Sequence, residues 1–149
     1  MSLYSPQSKL AAYRSVNAYG LVANADPHAL VLTLFDAILS RLNTARSCIE
    51  QGAIARKASL LHSSVTLLGE LRGSLDLNKG GELARNLSDL YEYMVRRVLH
   101  ANVSNDTGAL GEVLSLLGEI RAAWAAIGPE VRSGAVAAVS AAAGAGMAR

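Results

Sequence analysis

Residues 77–98, LNKGGELARNLSDLYEYMVRRV, decide the fold of this chain. Their apolar members recur every three or four residues, which places them on one side of a helix; they are Leu83, Leu87, Leu90, Met94 and Val98. The pair Gly80-Gly81 is costly inside a helix and predicts a break just before this one. Tyr91 and Tyr93 fall about 200° apart on a helix, so at least one of them must lie away from the buried stripe.

Two helices are expected before this stretch. Asp26 followed by Pro27 predicts a helix start, because the aspartate can cap free amides and proline is tolerated in the first turn. Gln51-Gly52 predicts the end of that helix. The second helix is expected to begin near Ala53 and to run to about Asp76. Their apolar stripes are Leu30, Leu34, Ile38, Leu42, Ala45 and Ile49 in the first helix, and Ile54, Ala58, Leu61, Val65, Leu68, Leu71 and Leu75 in the second.

A fourth helix is expected after the central one. The central helix should continue to about Asn102, and Asp106 should cap a fourth helix that ends at Gly128-Pro129. Trp124 fits the apolar stripe of this last helix, which favours a place in the core or in a groove wall. Four long amphipathic helices joined by short turns predict an all-α fold, an antiparallel up-and-down four-helix bundle spanning residues 26–128.

The segments outside the bundle carry weaker patterns. In the N-terminal arm, residues 1–25, Leu10, Tyr13 and Val16 lie three apart, so a short helix could present them to a groove. A disordered arm with incidental apolar residues explains the same spacing equally well. Residues 129–149 are rich in Ala and Gly, and we expect a flexible tail there.

Composition excludes several classes of protein. The chain has 149 residues, 51% hydrophobic content and 5% aromatic content, which suits one domain with an aliphatic core. A net charge of +2, spread along the chain, argues against nucleic acid as a partner. Cys48 is the only cysteine, so no disulfide scaffold is expected. No signal peptide and no run of about 20 apolar residues is visible, so we expect a cytosolic protein without a membrane span.

Residues that could perform catalysis or bind a metal do not form a recognisable site. Metal-binding bundles use Glu-x-x-His on facing helices, and no glutamate here is followed by histidine at that spacing. His28, His62 and His100 fall on three different predicted helices. Nucleotide-binding and serine-hydrolase motifs are also absent. We therefore predict no metal, no cofactor and no enzyme, but a helical bundle that acts by binding.

Three blocks of sequence resemble the FliS family of flagellar export chaperones. They are DPHALVLTLFDAIL (26–39), LDLNKGGELARNLSDLYEYMVRRVLHANVSNDTGALGEV (75–113) and LLGEIRAAW (116–124). The middle block is the most specific, because its glycine pair, LYEYM segment, arginine pair, HAN and capping aspartate occur in the order typical of the family. The LAAYRSV of the arm resembles the family's N-terminal tyrosine segment, so the resemblance covers about residues 4–128.

The resemblance implies a function and a set of site residues. Members bind the disordered C-terminal segment of flagellin in the cytosol, prevent its premature polymerisation and deliver it to the flagellar type III export apparatus. On this basis we expect flagellin to contact Leu83, Leu87, Tyr91, Met94 and Trp124. The arm residues Leu10, Tyr13 and Val16 would cover the binding surface and dock to an export-gate component. The alternative is a regulatory or structural bundle that self-associates, with a homodimer formed in the absence of a client.

Overall fold

The computed structural model describes residues 26–127, which form four α-helices and no strand. In chain order the helices are α1 (Pro27–Gln51), α2 (Ile54–Gly73), α3 (Leu77–Ser104) and α4 (Thr107–Ala125). The predicted all-α fold with four long helices is confirmed. The predicted arm and the predicted C-terminal tail lie outside the described residues.

Hydrogen bonds between α2 and α3 show that these helices run in opposite directions. Near the start of α2, the Lys57 ammonium donates to the carbonyl oxygen of Asn102 and to Oδ1 of Asn105, at 2.8 Å in each case. Near the end of α2, the Arg72 guanidinium donates to the hydroxyl of Ser88, in the first half of α3. The first contact therefore lies at one end of the bundle and the second towards the other end.

Contacts between α1 and α4 show the same antiparallel relation. His28 in the first turn of α1 hydrogen-bonds to the backbone of Trp124 in the last turn of α4. Asp36, further along α1, pairs with Arg121 of α4. The helix contacts fit a bundle, and the up-and-down order of the bundle as a whole stays a prediction.

The helices bury their apolar stripes against one another in a single core. This core is mainly aliphatic, as the composition predicted, and each helix contributes to it. The largest fully buried side chains are Trp124, Tyr91, Phe35, Ile38, Leu42, Leu61, Leu68, Met94, Leu110, Leu117 and Ile120. Burial of each such side chain contributes roughly 1.5–3 kcal/mol relative to an exposed one, which makes this core the main source of stability.

The predicted helix starts at two aspartates are confirmed. Oδ1 of Asp26 accepts a hydrogen bond from the amide of Ala29 at 2.8 Å, and Oδ1 of Asp106 accepts one from the amide of Ala109 at 3.1 Å. The hydrogen bond from the amide of Ala109 is the main reason that the pKa of Asp106 is lowered. At the end of α1, Gly52 takes a left-handed φ of 75°, as expected of a glycine that ends a helix.

Three helix ends lie two or three residues from the approximate positions that the sequence predicted. The second helix ends at Gly73, before Asp76, because the Asp76 carboxylate instead caps the next helix by accepting from the amides of Asn78 and Lys79. The third helix continues past Asn102, because the turn that ends it is made by Asn105 with a left-handed φ of 52°. The fourth helix ends at Ala125, before the Gly-Pro pair.

The break predicted at the glycine pair is confirmed at Gly81. Its φ of 58° and ψ of −134° are not helical, and they separate a short first turn of α3 from the long helix that follows. A residue with a side chain rarely adopts this backbone conformation. A Cβ added at Gly81 would meet nothing within 4 Å, so the requirement for glycine there is one of backbone conformation and not of space.

Gly81→Ala should therefore destabilise the bundle by about 1–3 kcal/mol through backbone strain. Gly118→Ala is the matched control, because Gly118 lies inside α4 without a positive φ and also has open space around its Cβ position. There alanine should raise the free energy of unfolding by up to about 1 kcal/mol. Urea unfolding of both variants measures the difference, and equal effects in the two proteins would contradict a strained Gly81.

Candidate functional site

Four of the five residues predicted to contact a client lie in the core. Leu87, Tyr91, Met94 and Trp124 are 2%, 1%, 0% and 0% exposed, respectively. Leu83 is half-buried and is the only one of the five with appreciable exposure. In this conformation a partner could reach Leu83, whereas contact with the other four requires movement of the bundle. Their part in binding stays a prediction.

The arm residues of the prediction cannot be placed in the same way. Leu10, Tyr13 and Val16 lie outside the described residues, and their covering and docking roles also stay predictions.

Trp124 is held in the core by a reciprocal contact with His28. The indole Nε1–H of Trp124 donates to the carbonyl oxygen of His28 at 3.0 Å, while Nε2 of His28 lies 2.8 Å from the carbonyl oxygen of Trp124. Because a carbonyl only accepts, Nε2 carries the hydrogen of this bond. The two rings lie 4.5 Å apart. These contacts join the first turn of α1 to the last turn of α4.

A polar cluster joins α3 to α4 on one side of the buried stripe. The hydroxyl of Tyr93 donates to Oε2 of Glu112 at 2.6 Å, and Nε of Arg97 donates to Oε1 of the same carboxylate at 2.8 Å. These two hydrogen bonds lower the pKa of Glu112, and the bond to Glu112 raises the pKa of Tyr93. As expected for two tyrosines two positions apart, Tyr91 is buried and Tyr93 lies at the surface seam.

A second polar cluster joins α3 to α2 on the other side of the stripe. The Glu92 carboxylate accepts from Arg72 of α2 and from Arg96 of α3, both at 3.0 Å. Two guanidinium groups thus share one carboxylate, and the side chain of Arg96 is 61% exposed. Exposed ion pairs of this kind contribute little to stability. The net charge of the cluster matters more, because two arginines and one glutamate place an excess positive charge at the surface.

Beyond this cluster, apolar side chains are exposed along the junction of α2 and α3. Ile54 is 46% exposed, Leu99 is 49% exposed and Val103 is 86% exposed. Leu99 follows Glu92 by seven residues, or about two turns, so it lies on the side of α3 that faces α2. The contact of Lys57 with the end of α3 places Ile54 and Val103 at the same end of the bundle. We call the surface formed by these three exposed apolar residues the α2–α3 groove.

The sequence prediction for Ile54 was wrong, and Leu99 and Val103 were not predicted as surface residues of interest. Ile54 fits the stripe of α2 by spacing, but it is the first residue of that helix and lies at the end of the bundle, where coverage by other helices is incomplete. Val95, Leu99 and Val103 recur every four residues beside the buried stripe. That second line of apolar positions was the available sign of the groove.

Other classes of site find little support among residues 26–127. Their His, Cys, Asp and Glu side chains form no group of three that could hold a metal ion. Cys48 is a buried free thiol. None of the four described helices combines the length and the hydropathy needed to cross a membrane.

Comparison with known proteins gives the family. A sequence model described as Flagellar protein FliS matches residues 9–131. The chain belongs to the FliS family. It is 43% identical over 124 residues to the flagellar secretion chaperone FliS of Salmonella typhimurium, covering 83% of this chain and 92% of that protein. It is also 43% identical over 112 residues to the flagellar secretion chaperone FliSB of Pseudomonas aeruginosa, covering 75% of this chain and 89% of the relative.

The chain is also similar to a more divergent member of the FliS family. The flagellar secretion chaperone FliS of Bacillus subtilis is 35% identical over 103 residues, which is 69% of this chain and 76% of that protein. The resemblance found in the three sequence blocks is thereby confirmed. The relatives are named as chaperones, a role that requires binding and no catalysis.

Burial predicts that Tyr91→Ala will first affect folding. Loss of a core aromatic side chain usually costs about 3–5 kcal/mol, and Tyr91 is 1% exposed. Tyr93→Ala is the matched control on the same helix, and it should cause a smaller loss because Tyr93 lies at the surface seam. Urea unfolding of both variants tests this expectation. A Tyr91→Ala protein as stable as the wild type would contradict the placement of Tyr91 in the core.

Proposed function

We propose that this protein is a flagellar export chaperone. It binds the disordered C-terminal segment of flagellin in the cytosol, prevents premature polymerisation and delivers flagellin to the flagellar type III export apparatus. The observation that carries the proposal is membership of the FliS family, whose relatives in three bacteria are named flagellar secretion chaperones. It acts without catalysis, cofactor or metal.

The surface of the bundle supports a binding role. A client segment that becomes helical on binding must bury an apolar face, and a chaperone must therefore expose apolar side chains that the core does not need. Ile54, Leu99 and Val103 are exposed side chains of this type. The bundle itself is closed around a continuous core, so it can remain folded while the client is absent.

The first test is direct binding of a flagellin C-terminal peptide to the full-length chain. We expect a 1:1 complex in size-exclusion chromatography with light scattering. The complex should also show more helical circular dichroism than the sum of the separate components, because the peptide folds as it binds. The matched control is a peptide of the same composition in scrambled order, which should not bind.

Other outcomes of this experiment separate the competing functions. A homodimer that does not respond to the peptide would contradict the chaperone proposal and favour a self-associating helical module. A complex whose circular dichroism equals the sum of its parts would contradict coupled folding while retaining flagellin as the client.

The N-terminal arm has two parts in the proposed function. Before loading, Leu10, Tyr13 and Val16 cover apolar surface that the client will use. Because the arm is tethered to the bundle, its effective concentration is high, and weak contacts suffice to keep it in place until a tighter client displaces it. After loading, the released apolar side chains dock to a component of the export gate.

These two parts give opposite expectations for affinity and export. Tyr13→Ala should leave flagellin affinity equal or slightly stronger, because it weakens a competitor of the client, and it should reduce the amount of flagellin secreted by cells that depend on this protein. Tyr19→Ala is the matched control in the same arm and should change neither quantity. Calorimetry and secretion assays are the two measurements. A Tyr13→Ala protein that lost affinity but exported normally would contradict both parts.

A further inference from the structure

We infer that the carboxylate of Glu70 in α2 is the site at which Arg14 of the N-terminal arm is held against the bundle. This inference rests on the covering role that the proposed function gives the arm, and it adds the charged contact that holds the arm in place. The contact lies within one chain and requires no flagellin.

Glu70 is a buried acidic side chain without a counter-charge. It is 9% exposed, and it makes no hydrogen bond or ion pair with the other residues that the structure describes. Burial raises the pKa of this carboxyl, because no neighbouring cation or donor offsets the loss of water. Among residues 26–127, no fully enclosed side-chain oxygen lacks a hydrogen-bond partner, so the Glu70 carboxylate must still open to the surface. A cation from outside these residues can therefore reach it.

The other acidic side chains of residues 26–127 do not share this situation. Those without a partner are exposed, so water solvates them; they are Glu50, Glu82, Asp89 and Glu119. The rest cap helices or bond to an arginine; they are Asp26, Asp36, Asp76, Glu92, Asp106 and Glu112. Glu70 alone within this range combines burial with the absence of a partner, and an unpaired buried charge is costly.

Glu70 lies near the end of the bundle at which the arm joins α1. The Arg41 guanidinium donates to the Ser63 hydroxyl at 2.6 Å, and these residues lie ten positions before the end of α1 and nine positions after the start of α2. The two helices therefore run in opposite directions from the short turn between them, and this register places Glu70 level with about Leu34. That level is about 12 Å along α1 from Asp26, the first residue after the arm.

The arm can bring a positive charge to this position. Residues 1–25 contain Lys9 and Arg14 and no acidic residue, so the arm carries two cations of its own. Arg14 lies twelve residues before Asp26, and an extended chain of twelve residues spans up to about 40 Å. The length of the arm and its charge therefore both suit a contact with Glu70.

Of the two cations, Arg14 is the better partner for a carboxylate with little access to water. A guanidinium is weakly hydrated and can donate two parallel N–H bonds to one carboxylate, whereas the ammonium of Lys9 is a strongly hydrated point charge. Arg14 is also adjacent to Tyr13, one of the residues predicted to cover the bundle. Pairing with Glu70 would thus hold that part of the arm in place.

The test is a double-mutant cycle in the full-length protein, measured by urea unfolding at neutral pH. Glu70→Gln should lower the unfolding midpoint of the wild type, because it breaks the pair. In an Arg14→Gln background the same change should raise the midpoint, because it removes a buried and unpaired charge. The coupling between the two positions should correspond to about a tenfold change in the unfolding equilibrium constant.

Two matched controls separate this pair from a general effect of charge. In a Lys9→Gln background, Glu70→Gln should lower the midpoint as it does in the wild type. Glu82→Gln alters an exposed glutamate, and its effect should be the same with or without Arg14.

Carboxyl NMR titration of Glu70 provides a second readout that a purely structural role of Arg14 would not change. Arg14→Gln should raise the pKa of Glu70 by about one pH unit or more, whereas Lys9→Gln should leave it unchanged. Arg14 lies in the arm, so this variant alters no core side chain of the four helices. It therefore tests the pair even if Glu70→Gln fails to fold.

The outcomes distinguish this inference from the proposed function. A wild type stabilised by Glu70→Gln, or a Glu70 pKa that Arg14→Gln does not change, would overturn the pair. Coupling that increases with protein concentration would place the arm of a second copy at Glu70 and would overturn the contact within one chain. A wild-type protein that fails to bind the flagellin peptide would overturn the chaperone function and leave the pair intact, because both measurements use the free protein.

Discussion

A helix in a bundle can bury only one strip of its surface, and this constraint organises the structure around α3. Leu87, Tyr91 and Met94 occupy the buried strip. The two flanks are consequently left for contacts with neighbouring helices. On the α4 side the flank is polar, with Tyr93 and Arg97 both bonded to Glu112. On the α2 side it is polar at Glu92 and becomes apolar towards Leu99. The two seams of the same helix therefore have different chemistry.

The difference between the core and the α2–α3 groove matters for a protein that acts by binding. Core side chains such as Met94 and Trp124 are 0% exposed, and a partner that touched them would have to open the bundle. A domain is stable by only about 5–15 kcal/mol, so repeated opening would compete with folding itself. Groove side chains can exchange water for a partner while the core remains intact. A partner that bound at exposed side chains would therefore leave the folded core undisturbed.

Local sequence patterns predicted the parts of the fold that depend on local chemistry. Asp26 and Asp106 cap helices and Gly81 interrupts one, because each of these effects acts over only a few residues. Asp76 shows the limit of this reasoning. An aspartate between two helices can end the first or begin the second, and only the structure shows that it caps α3.

The candidate surface was harder to predict, because helical periodicity does not distinguish a buried position from one at the open end of a seam. Ile54 has the spacing of a core residue in α2 and is nevertheless 46% exposed. Leu99 lies outside the main stripe of α3, and its spacing from Val95 and Val103 marks a second apolar line without showing whether other helices cover it. In both cases exposure is determined by where the neighbouring helices end. That information belongs to the three-dimensional arrangement and is absent from any single helix.

Lys57 links α2 to the end of α3 at the end of the bundle where Ile54 and Val103 lie. It is 3% exposed, and its ammonium contacts the carbonyl oxygen of Asn102 and Oδ1 of Asn105. A cation is favoured at a helix C-terminus, so the end of α3 compensates in part for burial of the charge. The contact fixes the start of α2 against the end of α3, close to Ile54 and Val103. The contact therefore favours one arrangement of the two helices at this end of the bundle.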